Sequence, residues 1–292
     1  MHRFLRSIGF NNIENRQDID ALLGRILQEP DICKKASVSD SCTYTEYRKE
    51  FAHNTGIVVR GEYDEKGFFH IEHYFPYVTS NILSLNTDVS VNKRVDTNAF
   101  TGMCDDFRLG ISLIFYLQNA VDYLNLGTSD NAPHKAKTSL SGLSLEGTIL
   151  LGVENTEDQL KKKSYRTHLR NQLISMAKSG DQDAIDSLTV DEIDLSAQIN
   201  RRIKTEDLYS LVETSFIPYG SESDNYSILG TIVNWSSVQN SYTGETIYQL
   251  LISCNDVVLN VCINQRDLVG EPMIGRRFKG VIWMQGYVDF CS

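Results

Sequence analysis

The feature that most constrains this 292-residue chain lies near its end, where Thr246 to Cys254 and Val257 to Ile263 are separated only by Asn255-Asp256. Residues of this type between two alternating runs specify a tight hairpin, and a two-residue turn leaves a single register. Ile252 then faces Leu259, Leu250 faces Val261, and Tyr248 faces Ile263. Every pair on that face is apolar. Gln249 with Cys262 and Leu251 with Asn260 fall on the other. Tyr226 to Trp235 reads as a preceding strand and Phe278 to Phe290 as a closing one, after the short Gly/Pro segment Val269 to Gly275. This series predicts a small antiparallel, OB-like β-barrel over 225–292. The short linker also allows an open SH3-like barrel.

Upstream, Ile19, Leu22, Leu23, Ile26 and Leu27 recur at helical spacing, so a helix is expected from Asp18 until Pro30 stops it. Gly56 to Tyr63 and Phe68 to Phe75 read as a hairpin around Asp64–Gly67, with Pro76 ending the return strand. Asp105 or Asp106 caps an expected helix reaching Leu124, with Leu109, Leu113, Leu117 and Val121 on its buried face. Leu145 to Val153 reads as a strand. The chain then turns charged and helical. Thr156 opens one helix, which ends at Gly180, and a second follows at Asp181 to Leu188. Thr189–Glu192 and Thr205–Asp207 open two more. The expected fold class is therefore α+β: a mixed helix and antiparallel-strand part at 1–153, a helical insert at 154–224, and the C-terminal barrel at 225–292.

Acidic residues outnumber basic ones 38 to 28, for a net charge of −10. That balance opposes attraction to nucleic acid phosphates and anionic membranes. The longest apolar run, Ile111 to Leu117, is interrupted by Ser112 and too short to span a bilayer. Met1 to Phe10 has no apolar signal core or small-residue cleavage site. A cytoplasmic location without a membrane partner is expected, with the six cysteines as reduced thiols. No C-x-x-C pair occurs, which argues against a zinc ribbon.

Two constellations invite a functional reading. In His70-Ile71-Glu72-His73, His70 and Glu72 share a strand face, with Arg60 and Glu62 placed across the hairpin. This could be an acid/base cluster or half a metal site. Catalytic zinc needs three protein ligands, however, and His73 points the other way. The plainer reading is a solvated face of paired charges. The second constellation is the expected outward stripe Arg277, Lys279, Trp283 and Tyr287 on the last strand, where basic and aromatic residues alternate. Such a stripe can grip phosphates and stack bases. The plainer alternative packs Trp283 and Tyr287 against the chain's own helical region. The strands that usually carry an OB ligand show Gln249, Leu251, Ser253, Val258 and Asn260, none basic or aromatic. Nucleic acid is therefore not an expected partner.

Gly142–Gly147 lacks the glycine spacing of a nucleophile elbow, and Asp105 and Asp106 oppose ionisation of Cys104. There is no phosphate loop or dinucleotide fingerprint, so neither cofactor nor metal is expected. Glu206–Glu213, Phe216–Gly220, Ile274–Gly280, Trp283–Gly286 and the opening Met1–Phe10 together resemble an uncharacterised family of clostridial-type bacterial proteins. The resemblance implies a cytoplasmic bacterial protein and carries over no site. The functional expectation is a non-catalytic interaction or scaffold protein with a protein or small-molecule partner. One alternative is an enzyme whose site assembles from distant segments around His70 and Glu72. The other is an OB-type binder of a ligand or single-stranded nucleic acid.

Overall fold

In the computed structural model, Asn255 (φ 49°) and Asp256 (φ 62°) both take the left-handed conformation that a tight, primed hairpin turn requires. Their hairpin pairs Ile252 with Leu259, Leu250 with Val261 and Tyr248 with Ile263, the register expected from the sequence. The structure describes residues 2–152, 169–190 and 214–290, apart from 14, 40–41, 65, 95–98, 107, 128–133, 170–171, 178, 189 and 222. Contacts group 1–150 with 214–292 as one compact unit and 151–213 as another.

The larger unit is mostly β. A 3-10 turn at Arg3–Ile8 leads to helix α1 (Arg16–Gln28), whose first turn is capped by the Asn15 side chain accepting from Asp18 N–H at 2.9 Å. Strands β1 (Ile32–Ser39), β2 (Cys42–Ala52), β3 (Thr55–Tyr63) and β4 (Phe69–Val78) form an antiparallel sheet in that order. A second sheet begins with β5 (Leu85–Lys93), β6 (Phe100–Asp106) and β7 (Ile111–Leu117), then helix α2 (Ala120–Asn125) and the long β8 (His134–Leu150). It continues after residue 213 with β9 (Ser215–Pro218), β10 (Asn225–Gln239), β11 (Thr246–Cys254), β12 (Val257–Asn264), β13 (Leu268–Val269) and β14 (Arg277–Asp289).

Strand β8 joins the two ends of the chain, pairing antiparallel with β5 and β14 and parallel with β12. Because β14 also pairs with β10, β10 with β11 and β11 with β12, these five strands form a closed circuit of pairings. Two large apolar cores result among the described residues, beside a small cluster of Ala36, Tyr44 and Val121. Phe115, Ile228, Leu250, Val261, Phe278 and Ile282 belong to one. Ile8, Leu22, Ile26, Ile57, Phe75 and Trp283 belong to the other, so opposite faces of β14 feed different cores.

Several expectations are corrected. No helix runs from Asp105 to Leu124; β6 and β7 pair there as a hairpin, with Met103 opposite Ile114. Gly110 (φ 68°) supplies its left-handed turn, and the branched and aromatic Ile111, Ile114, Phe115 and Tyr116 suit a strand. Pro76 sits inside β4 rather than ending it, which is tolerated because β4 is an edge strand. Residues 215–218, expected in the helical insert, form β9. Strands β1 and β2 were not expected at all. In the smaller unit, helical residues at 172–177 and 182–188 flank Gly180 (φ 89°), and Asp181 accepts from Ala184 N–H at 3.1 Å. The expected helix starts at Thr156, Thr189–Glu192 and Thr205–Asp207 lie, wholly or in part, outside the described residues.

Candidate functional site

The structure brings only part of the first constellation together. A bulge between Arg60 and Gly61 sets Glu62 opposite His70 and Arg60 opposite His73. His70 is exposed and lies 3.0 Å from Asp64, and Glu72 is exposed as well. Arg60 is fully buried, its Nε donating to Glu46 Oε2 at 2.7 Å, while Arg48 Nε donates to Glu46 Oε1 at 2.6 Å. Both guanidinium groups also donate to the Gln118 carbonyl, each at 2.6 Å. Burial alone pushes the Glu46 carboxyl up, but the Arg60 and Arg48 charges and hydrogen bonds outweigh it and hold it below its ordinary value. Arg60 also lies over the rings of Phe75 at 4.7 Å and Tyr116 at 5.9 Å. These charges form a seam between the two sheets.

Around that seam, His73 Nε2 meets the Tyr116 hydroxyl at 3.1 Å. Burial and then the Arg60 charge lower its pKa to about 3. His2 is lowered to about 4 by burial, Arg3 and the N-terminus. The Nδ1 atoms of both are buried without a partner among the described residues. Gln118 Nε2 and Gln285 Nε2 donate to the carbonyls of Val78 (2.9 Å) and Pro76 (2.8 Å), closing the outer edge of β4.

The stripe on β14 also does not form one open face. Lys279 is exposed and Tyr287 partly so, with its hydroxyl 3.4 Å from Asp122 Oδ2. Arg277 and Trp283, expected outward, are buried. Trp283 stacks on Phe4 at 5.3 Å and contacts His2 at 4.9 Å and Tyr116 at 5.1 Å. Its Nε1 donates to Asp224 Oδ2 at 2.9 Å. The alternation along β14 is real, but β14 is a central strand and the opening segment of the chain covers its second face. Ser144 of the glycine-flanked stretch is a buried strand residue, and Cys104 is pushed up to about 12 by burial, then by Asp106 and Asp105.

A solvent-open cleft lies elsewhere on the larger unit. Pairing places Asn234 beside Leu251 and Leu251 beside Asn260, and in the next row Ser236 beside Gln249. These residues lie on the floor of a cleft of about 210 Å³ walled by Asn54 and residues 79–82 and bordered by Trp235. Its amides are anchored at one end. Gln249 Nε2 donates to the His53 carbonyl (2.6 Å) and Thr55 Oγ1 (2.8 Å), and Asn260 Nδ2 to the Thr79 carbonyl (3.1 Å). Gln249 Oε1, Asn260 Oδ1 and the Asn81 and Ser236 side chains have no hydrogen-bond partner among the described residues. No lining side chain is titratable. Sequence reasoning puts Gln249, Leu251 and Asn260 on one face, with nothing basic or aromatic there to mark a ligand surface. It missed Asn54 and Thr79–Ile82, for which only the cluster Thr79-Ser80-Asn81 was a signal.

Fold and cleft together define a mostly β protein with an uncharged hydrogen-bonding surface and a charged seam sealed inside. A family model described as "Domain of unknown function, E. rectale Gene description (DUF3881)" matches residues 5–286, and the chain belongs to that family. The resemblance seen in the sequence is thereby borne out. No curated protein and no solved structure matches the chain. No helix among the described residues is long and apolar enough to cross a membrane.

Proposed function

We propose that this chain is a non-catalytic interaction protein that takes an uncharged ligand or partner segment in the cleft. The observation that carries this reading is the lining: free hydrogen-bonding capacity from Asn81, Ser236, Gln249 and Asn260, with no titratable side chain in the lining itself, the exposed His53 imidazole next to it meeting Asn54 at 3.1 Å. Such a surface rewards neutral groups and gives a charged one no counter-charge. At about 210 Å³ the cleft is below the roughly 300–1,000 Å³ of pockets that enclose drug-sized ligands, so it suits a single side chain or small ring. The closed circuit of β8, β10, β11, β12 and β14 supports an OB-like barrel as its scaffold. A cytoplasmic location belongs to the same proposal, supported by free thiols at Cys33, Cys104, Cys254 and Cys262.

Thermal-shift measurements with matched neutral and charged small molecules test it. Neutral compounds should raise the unfolding midpoint independently of salt, less so in Asn81→Ala, and should be recovered unchanged. Turnover of any compound by the wild type, lost in His70→Ala, would favour the enzyme reading instead.

A further inference from the structure

Strand β10 carries a backbone edge that no described strand uses. Its first half is paired on both sides, with β14 from Asn225 to Thr231 and with β9 from Tyr226 to Leu229. Ile232 ends that ladder, its N–H donating to the Arg276 carbonyl and its own carbonyl accepting from Gly275 N–H, each at 2.8 Å. The register then shifts at Val233, and from Asn234 to Gln239 the strand pairs only with β11 among the described residues. Residues 233–237 and 239 are all exposed.

Edges of this kind are normally blunted by Lys, Pro or inward charge, or are covered. The β4 edge is covered in this way by Gln118 and Gln285. The β10 edge has no such charge or proline: residues 225–244 contain no Asp, Glu, Lys, Arg, His or Pro. Its local devices are the irregularity at Val233 and Asn234 Oδ1, which accepts from Trp235 N–H at 2.9 Å and must be displaced before a partner carbonyl takes that donor.

The edge also borders the cleft. Asn234 and Ser236 lie on the cleft face, whereas strand alternation turns Trp235, which borders the cleft, towards the other face, and it meets Tyr248 edge-on at 5.8 Å. A strand added beside β10 would run about 4.8 Å away and alternate its side chains between those two faces. Main-chain pairing supplies affinity in this mode, and the pockets under alternate side chains supply specificity.

We propose that the β10 edge accepts an extended, uncharged segment of a partner protein as an additional strand. One of its Asn, Gln, Ser or Thr side chains enters the cleft, and its apolar ones pack on Trp235 and Tyr248. This rests on the binding reading above and names the partner's chemistry. Side-chain amides suit the cleft because they donate and accept at once, matching Ser236 on β10 and the free end of Gln249 on the adjoining β11.

The test is fluorescence anisotropy of the full chain with a dye-labelled, end-blocked nonapeptide alternating Gln and Val. Saturable binding that is insensitive to salt is expected. The same peptide N-methylated at every second residue should bind at least about ten-fold more weakly, because it cannot pair its backbone. Ser237→Lys should weaken binding by a similar factor, with its unfolding midpoint unchanged as the check on folding. Equal binding of the N-methylated peptide, or no binding of the parent peptide, overturns the proposal. Concentration-dependent dimerisation abolished by Ser237→Lys, without peptide binding, would assign the edge to a second copy instead. If the peptide fails while small neutral compounds still bind in an Asn81-dependent way, the cleft reading survives and only its partner is wrong.

Discussion

Replacing Glu46 with Gln should be among the most costly single changes in this protein. Glu46 is fully buried between two guanidinium groups and accepts a charge-assisted hydrogen bond from each, at 2.6 and 2.7 Å. The amide keeps the shape and removes the charge, so Arg48 and Arg60 are left sealed in the seam without a counter-ion. One amide hydrogen must also point towards a guanidinium. Breaking a buried pair from one side typically costs about 3–5 kcal/mol. Two lost hydrogen bonds to charged groups, at about 1.5–3 kcal/mol each, lead to a similar figure. For a unit of 150–250 residues this corresponds to a fall of roughly 6–20 °C in the unfolding midpoint.

Scanning calorimetry and urea denaturation followed by far-ultraviolet circular dichroism would measure it. Arg48→Met provides the contrast, since it leaves the Glu46–Arg60 pair neutral and should cost clearly less. A Glu46→Gln loss below about 1 kcal/mol, or an equal loss for Arg48→Met, would refute the view that charge balance holds this seam together.

Acid should destabilise the fold earlier than carboxylates alone would dictate. His73 is depressed to about 3 from an ordinary 6.5, so below pH 6.5 the unfolded chain takes up a proton that the folded one refuses. Stability is then lost progressively as pH falls, by about 2 kcal/mol down to pH 5; His2, lowered to about 4, adds a similar loss, so His73→Phe should remove about half of the combined slope. An unchanged slope would contradict the assignment. Glu46, also depressed, adds its loss only below the ordinary carboxylate range, near 4.5. Trp283→Phe removes the hydrogen bond to Asp224 and should cost about 1.5–3 kcal/mol in urea denaturation. Its remaining Trp235 should emit at longer wavelength than the wild type, because Trp283 is buried and Trp235 exposed. Labelled single-stranded DNA and RNA should not bind at physiological salt, given the net charge of −10 and the burial of Arg277. Micromolar binding abolished by Arg277→Glu with Lys279→Glu would reverse that conclusion.

What was legible in the sequence depended on how local its physical cause is. The β11–β12 register follows from two adjoining runs and the turn between them, and the structure reproduces each expected pair. Helix α1 was similarly legible from its spacing and Pro30. Strand β2 was not, because its buried residues include Glu46 and Arg48, so the charges face inward and the usual alternation is disguised. Leu109, Leu113 and Leu117 fit helical spacing, yet Gly110 turns the chain between two strands, and neighbouring strands decide the outcome.

The sites divide along the same line. Alternation on β14 was correctly read, but its second face is covered by His2 and Phe4, some 280 residues earlier in the chain. The cleft floor was visible as Gln249, Leu251 and Asn260, whereas its walls come from residues 54 and 79–82. Charge patterning drew attention to His70 and Glu72, which remain in water, while the charges that organise this protein are withdrawn from any ligand. In this chain the Glu46, Arg48 and Arg60 charges sit where the two sheets meet, and the surface proposed for recognition is a stretch with no charge in its lining.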